Sequence, residues 1–172
     1  METVKIVIEM EDGGVMKGEL YPEIAPITVE NFLNLIDQDF FAGLIFHRVI
    51  PGFMIQGGGY DKDFNHHEAK SIKGEFSSNG IKNDLLHTRG ILSMARTMIP
   101  DSASSQFFIM HEDAPHLDGQ YAAFGRVIEG MDVVNEIATT ATDRADKPKT
   151  PQVMKNVTVE TFGKDYSDVE KM

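Results

Sequence analysis

No cysteine occurs among the 172 residues. That absence excludes disulfides, thiolate nucleophiles and cysteine-based zinc sites together, and leaves the redox environment open. Positive charge is scarce as well. Against 27 Asp and Glu stand 16 Lys and Arg, giving a formal net charge of -11 and a pI near 4.9. Such a chain repels phosphate backbones and anionic lipid at long range, so neither nucleic acid nor a membrane surface is expected as a partner. No apolar run approaches the roughly 18 residues needed to cross a bilayer. The opening METVKIVIEMEDGG alternates and carries acids, where a secretion signal has a basic start and a continuous apolar core. A soluble, cytoplasmic protein is therefore the expectation. Internal repeats, low-complexity tracts and linkers long enough to divide domains are also missing.

What is present is ordinary globular usage: 41% hydrophobic and 25% charged residues, enough for one core that folds alone. Val4, Ile6 and Ile8 alternate with their neighbours, and the turn Glu11-Asp12-Gly13-Gly14 leads into Val15 to Tyr21, which predicts a hairpin. After Pro22 and Pro26, the residues Val29, Phe32, Leu33, Ile36 and Phe40 fall at helical spacing, with Thr28 and Glu30 suited to the helix start. Short strands are predicted at 45–53, 53–56, 91–95, 107–110 and 122–127. A two-turn helix is predicted over Met131 to Ala138, and a closing strand through Val153, Val157 and Val159. Tyr60 to Ser71 reads as an irregular loop. Many short strands with two helices favour a closed or nearly closed β structure, since closure removes reactive edges. Periodicity does not distinguish barrel from sandwich.

Several constellations invite chemistry and fail on spacing. His66-His67-Glu68 sets three potential metal ligands side by side, but adjacent side chains point apart and no HExxH or similar spacing occurs, so a solvated loop is the expectation and no metal is predicted. Ser102, Ser104 and Ser105 near His111 and Asp113 lack a GxSxG elbow. Gly57-Gly58-Gly59 lacks the spacing of a phosphate or dinucleotide loop. One run remains unusual: Phe46, Arg48, Val49, Ile50, Phe53, Met54 and Ile55, followed by Gln56. An arginine buried in such a run requires a carboxylate partner or a ligand. The pattern alone leaves both readings open.

At these residues the sequence resembles a cyclophilin. The resemblance runs in order through FHRVIPGFMIQGG (46–58), SIKGEF (71–76), GILSMAR (90–96), SQFFI (105–109), HLDG (116–119) and FGRV (124–127), and is to the prokaryotic single-domain members. It implies a mainly β fold, a closed eight-stranded antiparallel β-barrel capped by two α-helices. It would occupy 1–163, with a short polar tail at 164–172. It also implies a peptidyl-prolyl cis/trans isomerase working without cofactor or metal, as a monomer, on proline-containing peptides and unfolded or flexible proteins. By resemblance Arg48 is the catalytic arginine and Gln56 the glutamine that orients it and contacts the substrate. Phe53, Met54, Phe108 and Leu117 match the proline pocket. Ala95 and Arg96 match the wall that binds residues before proline.

The chain departs from the family at His116, where many members carry tryptophan, and at Tyr121, where many carry histidine. Both are expected along the pocket wall. An imidazole offers less apolar area than an indole, so the family's inhibitor cyclosporin is expected to bind weakly while turnover survives. Tyr60 to Lys70 replaces a glycine-rich stretch, and Arg96 adds a cation beside the implied groove, which would favour acidic residues before proline. A second reading, from a different class, is a proline-peptide binding module that has lost turnover.

Overall fold

The computed structural model describes residues 4–160; the tail expected at 164–172 lies outside the described residues. Among them are eight strands and two α-helices. The strands are β1 (Val4–Met10), β2 (Val15–Leu20), β3 (Leu44–Ile50), β4 (Met54–Asp61), β5 (Ile91–Met94), β6 (Phe107–Met110), β7 (Ala123–Glu129) and β8 (Met154–Glu160); the helices are α1 (Pro26–Asp37) and α2 (Met131–Ala138).

The alternation at the start of the chain produces the expected hairpin, with Glu9 opposite Val15 and Gly13 at φ +96° in the turn. All strand pairs are antiparallel, in the order β3-β4-β6-β5-β7-β2-β1-β8. The two ends of that order meet through a single bridge, Ile45 to Val153, flanked by Phe46 N–H donating to Gln152 O at 3.0 Å and Gly43 N–H donating to Met154 O at 2.8 Å. This seam brings the barrel nearly to closure, so the strand pattern resolves as a barrel and not a sandwich.

Aromatic residues fill the interior. Phe32 of α1 lies 4.9 Å from Phe41, 5.2 Å from Phe107 and 5.2 Å from Phe124 between ring centroids. Each such buried ring contributes about 1.5–3 kcal/mol relative to exposure. A second apolar cluster, Met54, Ile91, Phe108, Met110, Ala114, Leu117 and Ala123, sits on the other face of the same strands. Successive residues of a strand point to opposite faces, so Phe107 and Ile55 enter the barrel core while Phe108 and Met54 enter the outer cluster. That double burial explains why FFIM does not alternate with polar residues, and it places an apolar patch on the outside of the barrel wall.

Two expectations are corrected. The stretch read as a loop from Tyr60 begins inside β4, which runs through Gly57-Gly58-Gly59 to Asp61. Glycine weakens a strand, but here it lets neighbours approach: a Cβ on Gly59 would stand 2.6 Å from the Gln106 side chain. Helix α1 starts at Pro26, ahead of Thr28, and ends at Asp37, before Phe40. Its N-cap Ala25 has no capping side chain. Buried Glu75 takes that role from across the structure, accepting from Thr28 N–H at 2.6 Å, Thr28 Oγ1 at 2.7 Å and Ile27 N–H at 3.2 Å. A carboxylate there also meets the positive end of the helix dipole.

Candidate active site

The outer cluster is the floor of a pocket of about 160 Å³ lined by Arg48, Phe53, Met54, Gln56, Ala95, Arg96, Phe108, Leu117 and Tyr121. Strand β3 supplies Arg48, β4 supplies Met54 and Gln56, and β6 supplies Phe108. Phe53 closes the turn between β3 and β4, and Leu117 ends the short 3-10 turn Pro115–Leu117. Residues far apart in sequence thus converge because β4 pairs with both β3 and β6: Gln56 is opposite Arg48 on one side and Phe108 on the other.

Arg48 differs from its expected environment. It is exposed, not buried, and among the described residues its guanidinium has neither a carboxylate nor a hydrogen-bond partner. The desolvation argument that demanded a partner does not apply, because β3 turns this side chain outward while Phe46 and Val49 point into the core. The result is an unpaired cation at the edge of an apolar pocket, with all five N–H donors available.

Gln56 is held by a residue outside the predicted set. Its Nε2–H donates to Gln106 Oε1 at 3.0 Å, and Gln106 lines an adjoining depression of about 280 Å³ with His66, Thr97, Ser102 and Ser104. A sequence signal existed: 106, 108 and 110 share one face of a period-two strand, so Gln106 projects outward beside Phe108.

Behind Phe108 the wall is buried and hydrogen-bonded. Buried His87 stacks against Phe108 at 5.9 Å and contacts Asp118 Oδ1 through Nδ1 at 3.1 Å and Ser93 Oγ through Nε2 at 2.9 Å. Burial pushes the His87 pKa down, and the Asp118 carboxylate opposes that shift. Tyr121 meets Phe108 edge-on at 5.7 Å.

Arg96, expected as a cation beside the groove, is engaged. Its Nε and Nη2 donate to Gln120 O at 3.0 and 2.6 Å, and Nη1 donates to Thr97 O at 2.9 Å. The guanidinium lies 4.6 Å from the Phe76 ring centroid and 4.8 Å from that of Tyr121, in cation–π geometry. His116 is brought near the site but not into the small pocket. It is exposed, tilts against Phe53 at 5.7 Å and lines the neighbouring groove.

The histidines and serines that suggested metal or hydrolytic chemistry serve the loops in which they sit. His67 Nε2 contacts Asp61 Oδ2 at 3.0 Å, and His66 packs on Tyr60; among the described residues no group of three or more His, Asp or Glu is placed to hold a metal ion. Ser105 Oγ donates to Gly58 O and Ser102 Oγ to Ile99 O, so both hold backbone in place. No helix of the described residues is long and apolar enough to cross a membrane.

Comparison with known proteins agrees with this fold. A family model described as cyclophilin type peptidyl-prolyl cis-trans isomerase/CLD matches residues 5–159. A peptidyl-prolyl cis-trans isomerase of Acinetobacter baylyi is 44% identical over 167 residues, covering 91% of this chain and 86% of that protein. Peptidyl-prolyl cis-trans isomerase B of Escherichia coli is 43% identical over 152 residues, covering 81% and 90%. Among solved structures, a Cryptosporidium parvum cyclophilin type peptidyl-prolyl cis-trans isomerase superposes with a TM-score of 0.79 at 28% identity, over 94% of this chain and 99% of that one. The same protein in the presence of the dipeptide Ala-Pro gives a TM-score of 0.78 at 29% identity, over 92% and 99%.

Proposed function

The chain belongs to the cyclophilin-type peptidyl-prolyl cis-trans isomerases, and from that membership we propose that Arg48 lowers the barrier to X-Pro rotation by donating to the prolyl nitrogen. The barrier, about 18–20 kcal/mol, arises from the partial double-bond character of the C–N bond. As the bond twists, the nitrogen pyramidalises and its lone pair localises. A donor aimed at that lone pair stabilises the twisted state and not the planar one, which is the condition for catalysis. No bond is made or broken, so the step calls for no nucleophile, cofactor or metal.

The observation that carries this reading is the unpaired, exposed Arg48 beside a small apolar pocket. Phe53, Met54, Phe108 and Leu117 seat the prolyl ring and exclude the water that favours the planar amide. Gln56, hydrogen-bonded to Gln106 and not to Arg48 as expected, contacts the reacting amide in this reading. Ala95 and Arg96 present the wall for residues before proline, with Tyr121 closing the far side and His116 the rim. If these groups together remove about 8 kcal/mol, the rate rises on the order of a millionfold.

The substrates in this reading are proline-containing peptides and unfolded or flexible chains, and the role is assistance to folding by a cytoplasmic monomer with a single isomerase domain over 1–163. With His116 at the rim, cyclosporin binds weakly, which titration calorimetry checks.

The test is an X-Pro tetrapeptide isomerisation assay on wild type and Arg48→Ala. Because Arg48 is exposed and, among the described residues, without a hydrogen-bond or ion-pair partner, the variant keeps its melting temperature while kcat/KM falls at least about 100-fold. A folded wild type that binds the peptide without accelerating isomerisation favours the binding-module reading instead.

A further inference from the structure

The turn between β3 and β4 is braced from outside the pocket by a histidine that the rotation step does not use. Phe53 N–H donates to Ile50 O at 3.0 Å and Gly52 has φ +78°. With Pro51 second and Gly52 third, this is the backbone of a type II turn. A type II turn differs from a type I turn by a flip of its central peptide, here the one joining Pro51 to Gly52. The N–H of that peptide donates to His111 Nδ1 at 2.8 Å. Backbone bonds join the same two segments: His111 N–H donates to Phe53 O at 2.9 Å, and Glu112 N–H to the same oxygen at 3.4 Å.

His111 is itself seated. Arg89 Nη1 donates to His111 O at 2.7 Å, its backbone N–H to Asp113 Oδ1 at 2.8 Å and its Nη2 to Asn135 Oδ1 at 2.9 Å. The half-buried ring therefore reaches the turn from a segment tied to α2 and to the chain just before β5.

The chemistry of the bond fixes the state of the ring. A backbone N–H only donates, so Nδ1 is the acceptor and the proton of the neutral imidazole sits on Nε2. An imidazolium carries donors on both nitrogens and accepts from neither. Protonation thus does more than remove the bond, because it sets one N–H against another. Histidine is the side chain that exchanges a proton between about pH 5 and 8. The residue affected is Phe53, which follows Gly52 directly and lines the small pocket.

We propose that His111 is a positioning residue, whose unprotonated Nδ1 holds the Pro51–Gly52 peptide so that Phe53 stays at the pocket wall, and that acid releases this hold and weakens the binding of proline peptides. The proposal rests on the reading of the pocket as the proline site. Its sign follows from the bond. The bond exists only with the neutral ring, so protonation and peptide binding oppose each other. Affinity is full on the alkaline side and falls as the pH drops. The turn itself carries no ionisable residue. Around it stand Arg89, with Nη1 3.6 Å from Glu112 Oε2, and Asp113 and His116, the last tilted against Phe53 at 5.7 Å. Asn135, through which α2 reaches the group, is uncharged. His116 is a second imidazole beside Phe53, so every variant in the test retains it.

The test compares wild type, His111→Asn and His111→Leu by NMR between about pH 8 and about pH 5.5. The ligand is acetyl-Ala-Ala-Pro-Phe-amide, which has no group that titrates in this window. Asparagine places an amide oxygen where Nδ1 stands and does not titrate there; leucine offers no acceptor. A hydrogen bond of ordinary net strength corresponds to a factor of about two to ten in an equilibrium. In wild type the peptide Kd is expected to rise about fivefold on acidification, in step with the His111 ring resonances. The Gly52 amide resonance of the free protein should move along the same curve. His111→Asn should keep the tight alkaline Kd at both ends of the range, and His111→Leu the weak one at both. A wild-type Kd that does not follow His111, or an acid loss that survives in His111→Asn, overturns the positioning role and leaves the isomerase reading standing. A folded wild type that neither binds nor isomerises the peptide at about pH 7.5 overturns the pocket reading and this proposal with it.

Discussion

Arg48 and Gln56 are register partners across β3 and β4, and the Gln56 amide donates to Gln106 at 3.0 Å while no hydrogen bond joins the two partners' side chains. The pair shares a site through the ladder, and Gln106 sets the pose of the glutamine.

It follows that Gln106 acts as a positioning residue. Gln106→Ala is expected to lower kcat/KM about tenfold, mostly in kcat, with the pocket intact. Gln56→Ala should lower it by a similar factor, and the double variant should lose less than the sum, with a coupling of about 1 kcal/mol. Additive losses in the isomerisation assay argue that the two glutamines act separately.

Glu75 holds the start of α1 from 47 residues away in sequence. Removing its carboxylate leaves the Thr28 and Ile27 donors without acceptors in a buried place. Glu75→Ala is expected to cost about 2–4 kcal/mol, lowering the melting temperature by roughly 4–16 °C for a chain of this size. Glu75→Gln, which keeps an acceptor, should lie between. Denaturant melts followed by circular dichroism measure both.

Acid should weaken the fold through His47. Its Nδ1 is buried without a partner, and burial, reinforced by the positive charge of Arg48, holds its pKa at about 4 where 6.5 is usual. The folded pKa is depressed, so the unfolded chain takes up a proton that the folded one refuses. Stability present above pH 6.5 is lost as pH falls toward 4, by about 2 kcal/mol after allowance for partial exposure. His87, also shifted down by burial, acts in the same sense. Thermal melts at about pH 7.5 and about pH 5 should show a smaller acid loss in His47→Gln than in wild type; identical slopes would assign the effect elsewhere.

Features set by local pattern were legible in the sequence, and those set by distant partners were not. The β1–β2 hairpin followed from strict alternation and a glycine turn, and α2 from its short apolar face. The pocket residues were collected by resemblance, and their convergence reflects the register of β4 between β3 and β6. Glu75 escaped because capping normally comes from a neighbour in sequence, and nothing in SIKGEF announces a contact with Thr28. Strand β4 escaped through its glycines because strand propensity reflects packing of side chains they lack. The exposure of Arg48 escaped because the apolar run around it serves two faces at once, and only the fold reveals which face carries solvent.

The place of β8 in the barrel, between β1 and the β3 seam, bears on how the molecule is made. Ile6 of the first strand pairs with Val159 of the last, and Ile45 is bridged to Val153. During synthesis, the β8-facing edge of β1 therefore stays without its partner until β8 has emerged. Closure depends on contacts of the longest sequence separation, which makes folding slow and leaves the nascent chain exposed to aggregation. The barrel is thus a late finisher on the ribosome, and a chain cut before β8 would leave it open.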